Sequence, residues 1–364
     1  MTTSPDVEPI VDWGAAAQVA GRLVRPGPPA SRADVGSLVT GLREAASEAV
    51  GHVESVTHMR PAATAPEGGG LSAVHVVDRQ RWAQANTQFM QAMTEPVAQS
   101  LGPDFGVPTS PAARLVGAAE IGTLLALLST RVLGQYDPYG GAGRLLLVAP
   151  NVLTVERALD LNPRDFRLWV CLHEQTHALQ FAAAPWLADH VRGRVGALLK
   201  DVTATSVGLA RAPVRKKVAA LGRVLIRTVE GAVRGNASPL DVMLEPHHRR
   251  ELEEITAVMA LLEGHADVMM DAVGPGVVPS VATIRRRFER RRTGEGAPPF
   301  DVALRRLLGM DAKLAQYRDG AAFVRAVEKQ VGRDGLNAVW ASSENLPSAR
   351  EVADARAWVR RVHG

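Results

Sequence analysis

Cysteine is nearly missing from this sequence: Cys171 is the only one in 364 residues. An intramolecular disulfide is therefore excluded, and so is a cysteine-rich zinc site. Lysine is scarce as well, with Lys200, Lys216, Lys217, Lys313 and Lys329 the whole set among 42 basic residues. The formal net charge is only +4, too little to indicate a nucleic-acid partner. The surplus of Arg, Ala and Gly reads as base composition, not as a binding adaptation. Long apolar runs are also absent. The strongest, "IGTLLALL" from Ile121 to Leu128, falls far short of the roughly 20 residues that span a bilayer. The opening "MTTSPDVEPIVDWG" has neither the basic region nor the apolar core of a signal peptide. A soluble, cytoplasmic protein without a membrane partner is expected.

What is present is a large apolar fraction, 46% of the chain, enough for a sizeable core. The length fits one large domain or two subdomains sharing that core. Residues 12–60 read as helices broken at "RPGPPAS" (Arg25 to Ser31), where Pro and Gly forbid continuity. "PEGGGLS" (Pro66 to Ser72) reads as a loop. Helical spacing follows in "VVDRQRWAQANTQFMQAM" and "PAARLVGAAEIGTLLALLSTRVL". "GRLLLVAPNVL" (Gly143 to Leu153) is the best strand in the chain. Basic amphipathic stretches, "RKKVAALGRVLIRTVEGAVRG" and "IRRRFERRR" (Ile284 to Arg292), read as solvated helix faces. The expected class is mainly α with a small sheet (α+β). A helical region over 1–140 packs on a metal-binding core over 141–364, together one compact unit.

The chemistry concentrates in "NPRDFRLWVCLHEQTHALQF". Asn162 can cap a helix, Pro163 suits its first position, and Asp165 favours its positive end. On that helix His173 and His177 stand at i and i+4, on one face, close enough to share an ion. Phe166, Trp169 and Val170 lie on the same stripe, so the histidines point inward. Glu174 flanks the pair and cannot easily bind the same ion, which suits it to proton transfer. This is the HExxH zinc arrangement, with Glu174 as general base. Cys171 points away from it, as a buried structural thiol.

Zinc needs a third protein ligand. "LLEGHAD" offers Glu263 and Asp267, again at i and i+4. Glu263 can ligate while Asp267 accepts the second ring N–H of a ligand histidine. His265 is the alternative ligand, but it sits about 200° round the helix from Glu263. Thr256, Ala260 and Met270 lie near the Glu263 face and would let that helix approach closely. His247 and His248 read as exposed, near the start of this helix.

"HEQTH" with a downstream "EGHAD" resembles the zincin-like metallopeptidases whose third ligand is a glutamate. "VLGQYD", "HEQTHALQF", "LLEGHADVMMD", "GMDAKLAQYRDG" and "ENLPSAREV" carry a closer resemblance, over roughly residues 80 to 362. That closer group consists of uncharacterised actinobacterial zincin-like proteins, some of them associated with biosynthesis of a deazaflavin coenzyme. The resemblance implies a zincin-like core with added helices, a Zn2+ cofactor and a peptide or protein substrate. It also implies a strand along the cleft rim, for which "RLLLVAPNV" is the candidate. Tyr317, in a family-like stretch, is the candidate oxyanion donor, with Tyr136, His265 and Arg287 as competitors. Two functions remain open: a zinc-dependent hydrolase, most naturally a metallopeptidase, or a catalytically silent zincin-fold scaffold with a structural metal.

Overall fold

The computed structural model describes residues 11–62, 71–101, 111–211, 246–292 and 310–364. The loop positions Pro66 to Gly70 and the basic stretch from Arg215 to Gly235 lie outside the described residues. Helix α1 (Trp13–Leu23) begins where Asp12 accepts the Ala15 N–H at 2.8 Å. Helix α2 (Arg32–Thr57) begins at a reciprocal capping box between Ser31 and Asp34. The Pro- and Gly-rich break between them stands where it was expected. Then follow β1 (Ala73–Val77), α3 (Arg79–Leu101), α4 (Pro111–Leu128), β2 (Gly134–Asp137), β3 (Arg144–Val148) and α5 (Ala149–Ala158).

The sheet has the order β1-β3-β2, with β1 parallel and β2 antiparallel to the central β3. Leu145 and Leu147 join the main core, while Leu146 and Val148 join a second cluster under Trp82 and Leu125. Successive side chains leave a strand on opposite faces, so β3 is covered on both. The expected strand over 143–153 is thus corrected in two respects. It stops at Val148, because Pro150 falls in the first turn of α5. It is the middle strand, and the rim belongs to β2, which sequence reading missed.

The rest is helical: α6 (Pro163–Ala183), α7 (Trp186–Arg211), α8 (Pro246–Ala272), α9 (Val281–Arg292), α10 (Met310–Leu336), two 3-10 turns (Asn337–Trp340, Ser343–Asn345), α11 (Ala349–Ala353) and α12 (Ala355–His363). The molecule is mainly α with one small sheet. Helix α6 packs on α2, where Gln175 donates to the Ala46 carbonyl at 2.9 Å and the Cys171 thiol faces the Leu42 carbonyl. On its other side α8 packs on α6 and on α10. The α8–α10 crossing is so close that a Cβ on Gly264 or Gly320 would collide with the facing backbone. Ala260 lies at this crossing, with its carbonyl against Gly320.

The division expected at residue 140 falls between β2 and β3, which are paired strands. The main core runs from Leu38 to Trp358. The charge run is also not simply a solvated face. Ile284 is fully buried, Arg285 pairs with Asp267 and Asp271 of α8, and Phe288 packs edge-on against Trp169 at 5.2 Å. Among the described residues, no helix is long and apolar enough to cross a membrane.

Candidate metal centre

Helix α6 starts as its sequence requires. Asn162 Oδ1 accepts the Asp165 N–H at 3.1 Å with Pro163 in the first turn. Asp165 is itself buried and accepts from the Ser280 N–H at 2.8 Å and hydroxyl at 2.7 Å. This fixes the helix's entry. Phe166, Trp169 and Val170 are buried along the stripe that continues to His173 and His177.

The two imidazoles meet edge-on, with their Nε2 atoms 3.1 Å apart. Glu263 Oε2, from α8, lies 3.4 Å from His173 Nε2 and 3.8 Å from His177 Nε2. Zinc–ligand bonds of about 2.1 Å at tetrahedral angles place neighbouring ligand atoms about 3.4 Å apart. The triangle therefore has the edge lengths of three corners of a zinc tetrahedron. Its donor set, two imidazoles and one carboxylate, leaves a fourth corner free, so these residues fit the metal. All three line a cleft of about 570 Å³, together with Glu174, Tyr136, Phe181 and Phe288.

Glu174 sits beside the triangle and reaches β2, where the Tyr136 backbone amide helps to hold its pKa down. Gly134 makes that approach possible, since a Cβ there would stand 2.6 Å from Glu174 Cγ. Burial raises the Glu174 pKa, against the pull of His173 and His177. For His177, burial opposes the charged form. Glu263 and Glu174 outweigh it and lift the ring to about 9.

The second ring nitrogen of His177 finds a different partner from the one expected. His177 Nδ1 donates to Gln180 Oε1 at 2.9 Å. Asp267 is instead taken by Arg285 at 2.6 Å, and Arg285 also binds Asp271 and stacks over Trp169. The orienting role assigned to Asp267 is corrected accordingly: a cation from α9 reaches it first. Sequence reading missed Gln180, although its place three residues after His177 on the same face was a usable signal.

His265 is fully buried, and α8 runs unbroken through Gly264, so this ring is directed away from the triangle. Its Nδ1 accepts from Gln180 Nε2 at 3.0 Å and its ring stands 5.2 Å from Trp340. Burial pushes its pKa down to about 3, so the ring is neutral.

The candidate oxyanion donors divide. Tyr136 lines the cleft, but its ring packs on Phe181 at 5.4 Å and its hydroxyl lies against Gly143. Arg287 is engaged by the Leu159 and Asp160 carbonyls. Tyr317 belongs to α10, with its side chain outside the described residues. Of the two histidines expected to be exposed, His247 is and His248 is buried. With Asp201 of α7 they bring a second trio of donor atoms within 4.8 Å of one another, at the start of α8.

No curated protein matches the chain significantly. A crystal structure from Chloroflexus aurantiacus, described as a proposed hydrolase with a novel fold, is similar over 96% of this chain and 98% of its own. The two are 29% identical and superpose with a TM-score of 0.64. The sequence pattern of the zincin-like metallopeptidases matches residues 11–359, essentially the whole described fold, and the chain belongs to that family.

Proposed function

We propose that the protein is a zinc-dependent hydrolase of peptide bonds, of the type whose third ligand is a glutamate. The observation that supports this most directly is the ligand-edge triangle of His173, His177 and Glu263 with the Glu174 carboxyl beside it. A structural metal site has no need of an adjacent buried carboxyl. Bound zinc would supply Lewis acidity toward a carbonyl and bring the pKa of a water near 7.

The rest falls to the chain. His173, His177 and Glu263 hold the ion. Glu174 takes a proton from the attacking water and returns it to the leaving amide nitrogen. Burial raises its pKa, which makes the carboxylate a better proton acceptor. Gly134 packs against the Glu174 side chain from the strand, which limits its rotation away from the triangle. Strand β2 is an edge of the sheet and lines the cleft, the kind of edge with which an extended peptide pairs. Tyr317 keeps the oxyanion role proposed from its sequence context. The scaffold reading would gain from a continuous basic patch, but within the 284–292 run Arg285 and Arg287 are bound inside the fold.

The test is Glu174→Gln. This variant should stay folded and zinc-loaded, because no ligand is touched. Its rate on a peptide mixture should fall by about 10²–10⁴-fold. Equal activity of variant and wild type would remove Glu174 from the mechanism. Inactivity of both on every peptide tried would favour the scaffold.

A further inference from the structure

We propose that Gln180 and His265 form a neutral relay that sets the tautomer of His177 and locks the two ligand-bearing helices in register. The inference rests on the metal reading above and adds positioning residues to it. Both side chains are fully buried, so water cannot substitute for either partner.

The argument begins at a backbone carbonyl. Gln180 Nε2 lies 2.9 Å from the oxygen of Leu262. A carbonyl oxygen can only accept, so the amide nitrogen must face it. That leaves Gln180 Oε1 facing His177 Nδ1, at 2.9 Å. An amide oxygen can only accept, so His177 carries its proton on Nδ1. In the neutral ring that would hold the ion, Nε2 then carries the lone pair, and it faces the triangle. The second amide N–H goes to His265 Nδ1 at 3.0 Å, so His265 is protonated on Nε2 instead. Every proton in the chain is placed by one carbonyl that cannot exchange roles.

The same bond has a mechanical effect. Leu262 immediately precedes Glu263, so the contact that orients His177 also fixes where Glu263 stands along α8. Ligand histidines more often donate to a carboxylate. Here a carboxylate would set its lone pairs against the Leu262 carbonyl and the His265 Nδ1 lone pair. Only a group that both donates and accepts fits all three neighbours. A purely space-filling position would accept an apolar side chain, and would not require the buried His265 beside it, whose Nε2 has no hydrogen-bond partner among the described residues.

The experiment measures zinc affinity by chelator competition on the full chain, for wild type, Gln180→Leu, Gln180→Glu and His173→Ala. Alongside it, long-range 1H–15N spectra of the zinc-loaded wild type, labelled at histidine, read the tautomers. Gln180→Leu should bind zinc about 10- to 100-fold more weakly. Gln180→Glu keeps an acceptor for the His177 N–H and should recover only part of that loss, because its carboxylate faces the Leu262 carbonyl and the His265 Nδ1 lone pair. The wild-type spectra should show His177 protonated on Nδ1 and His265 on Nε2. Wild-type affinity in Gln180→Leu, or the opposite His177 tautomer, overturns the relay while leaving the ligands standing. An equal loss in Gln180→Glu and Gln180→Leu overturns it too. Should Gln180→Leu fail to fold, the wild-type tautomers still decide. A wild type that binds zinc no better than His173→Ala overturns the metal reading itself.

Discussion

Replacing Gly264 by Ala should weaken zinc binding even though glycine touches no metal. Gly264 lies where α8 crosses α10. A Cβ there would stand 2.7 Å from Gly320 Cα, and nearer still to the peptide joining Gly320 to Ala321. The nearest atom, the Gly320 carbonyl carbon, would be 2.2 Å away and ordinary contact begins at 3.4 Å, so the helices must part by at least 3.4 − 2.2 = 1.2 Å. On α10 itself Phe323, Val324 and Val327 are fully packed, with Phe323 against Trp358 of α12, whereas α8 borders the open cleft. The displacement therefore goes into α8 and carries Glu263 with it. Metal sites tolerate errors of about 0.2 Å in ligand position. Taking one misaligned ligand as equivalent to a lost orienting partner, affinity should drop about tenfold or more. Stability is the poorer readout, because overpacking costs about 1–3 kcal/mol while Ala gains about 1 kcal/mol over Gly in a helix. The assay is chelator competition with a thermal melt beside it. Gly51→Ala is the control, since Gly51 lies in α2 with nothing within 4 Å of its would-be Cβ. That variant should stabilise the fold and leave zinc binding alone. If Gly264→Ala binds zinc like wild type, the crossing does not position Glu263 and the reasoning fails.

Three further outcomes are expected. Gly134→Ala would place a Cβ 2.6 Å from Glu174 Cγ, so zinc content should hold while peptide hydrolysis falls by about 10- to 100-fold; unchanged turnover would refute the contact. In the zinc-free protein His177 stays protonated up to about 9, and the ion must displace that proton. Zinc affinity should therefore rise by about tenfold per pH unit up to that value and then level off; a flat profile between neutrality and that point would contradict the assignment. Asp267→Asn should leave zinc affinity within about twofold of wild type, well short of the 10- to 100-fold that loss of a ligand-orienting partner produces. A loss in that larger range would restore Asp267 to the role its spacing suggested.

The ligand helix was legible because its signals are local. A cap, a first-turn proline and two histidines one turn apart all fall within a single element. Glu263 was legible for the same reason, as one of an acidic pair inside an apolar helix. Its neighbour Asp267 was misread because its partner, Arg285, comes from another helix. A run of arginines looks the same in sequence whether it faces water or clamps a carboxylate. Strand β2 was invisible because "GQYD" has no alternation of its own. Its extended form comes from pairing with β3, and its place in the site from the gap that Gly134 leaves for Glu174. Gln180 looked like any polar residue on an amphipathic helix. Only the fold shows that a carbonyl and two imidazoles converge on it.

The lone thiol has a practical consequence. Cys171 is fully buried, with its sulfur against the Leu42 carbonyl, and burial raises its pKa far above the usual thiol range. It is therefore a poor nucleophile toward alkylating reagents, which attack thiolate. The natural protein is in effect a blank background for thiol chemistry. A cysteine introduced at Met259, 40% exposed and lining both the metal cleft and the neighbouring 350 Å³ cavity, would be the one fast-reacting thiol on the folded chain. A fluorophore attached there would report on what enters the cleft without first having to remove a native cysteine.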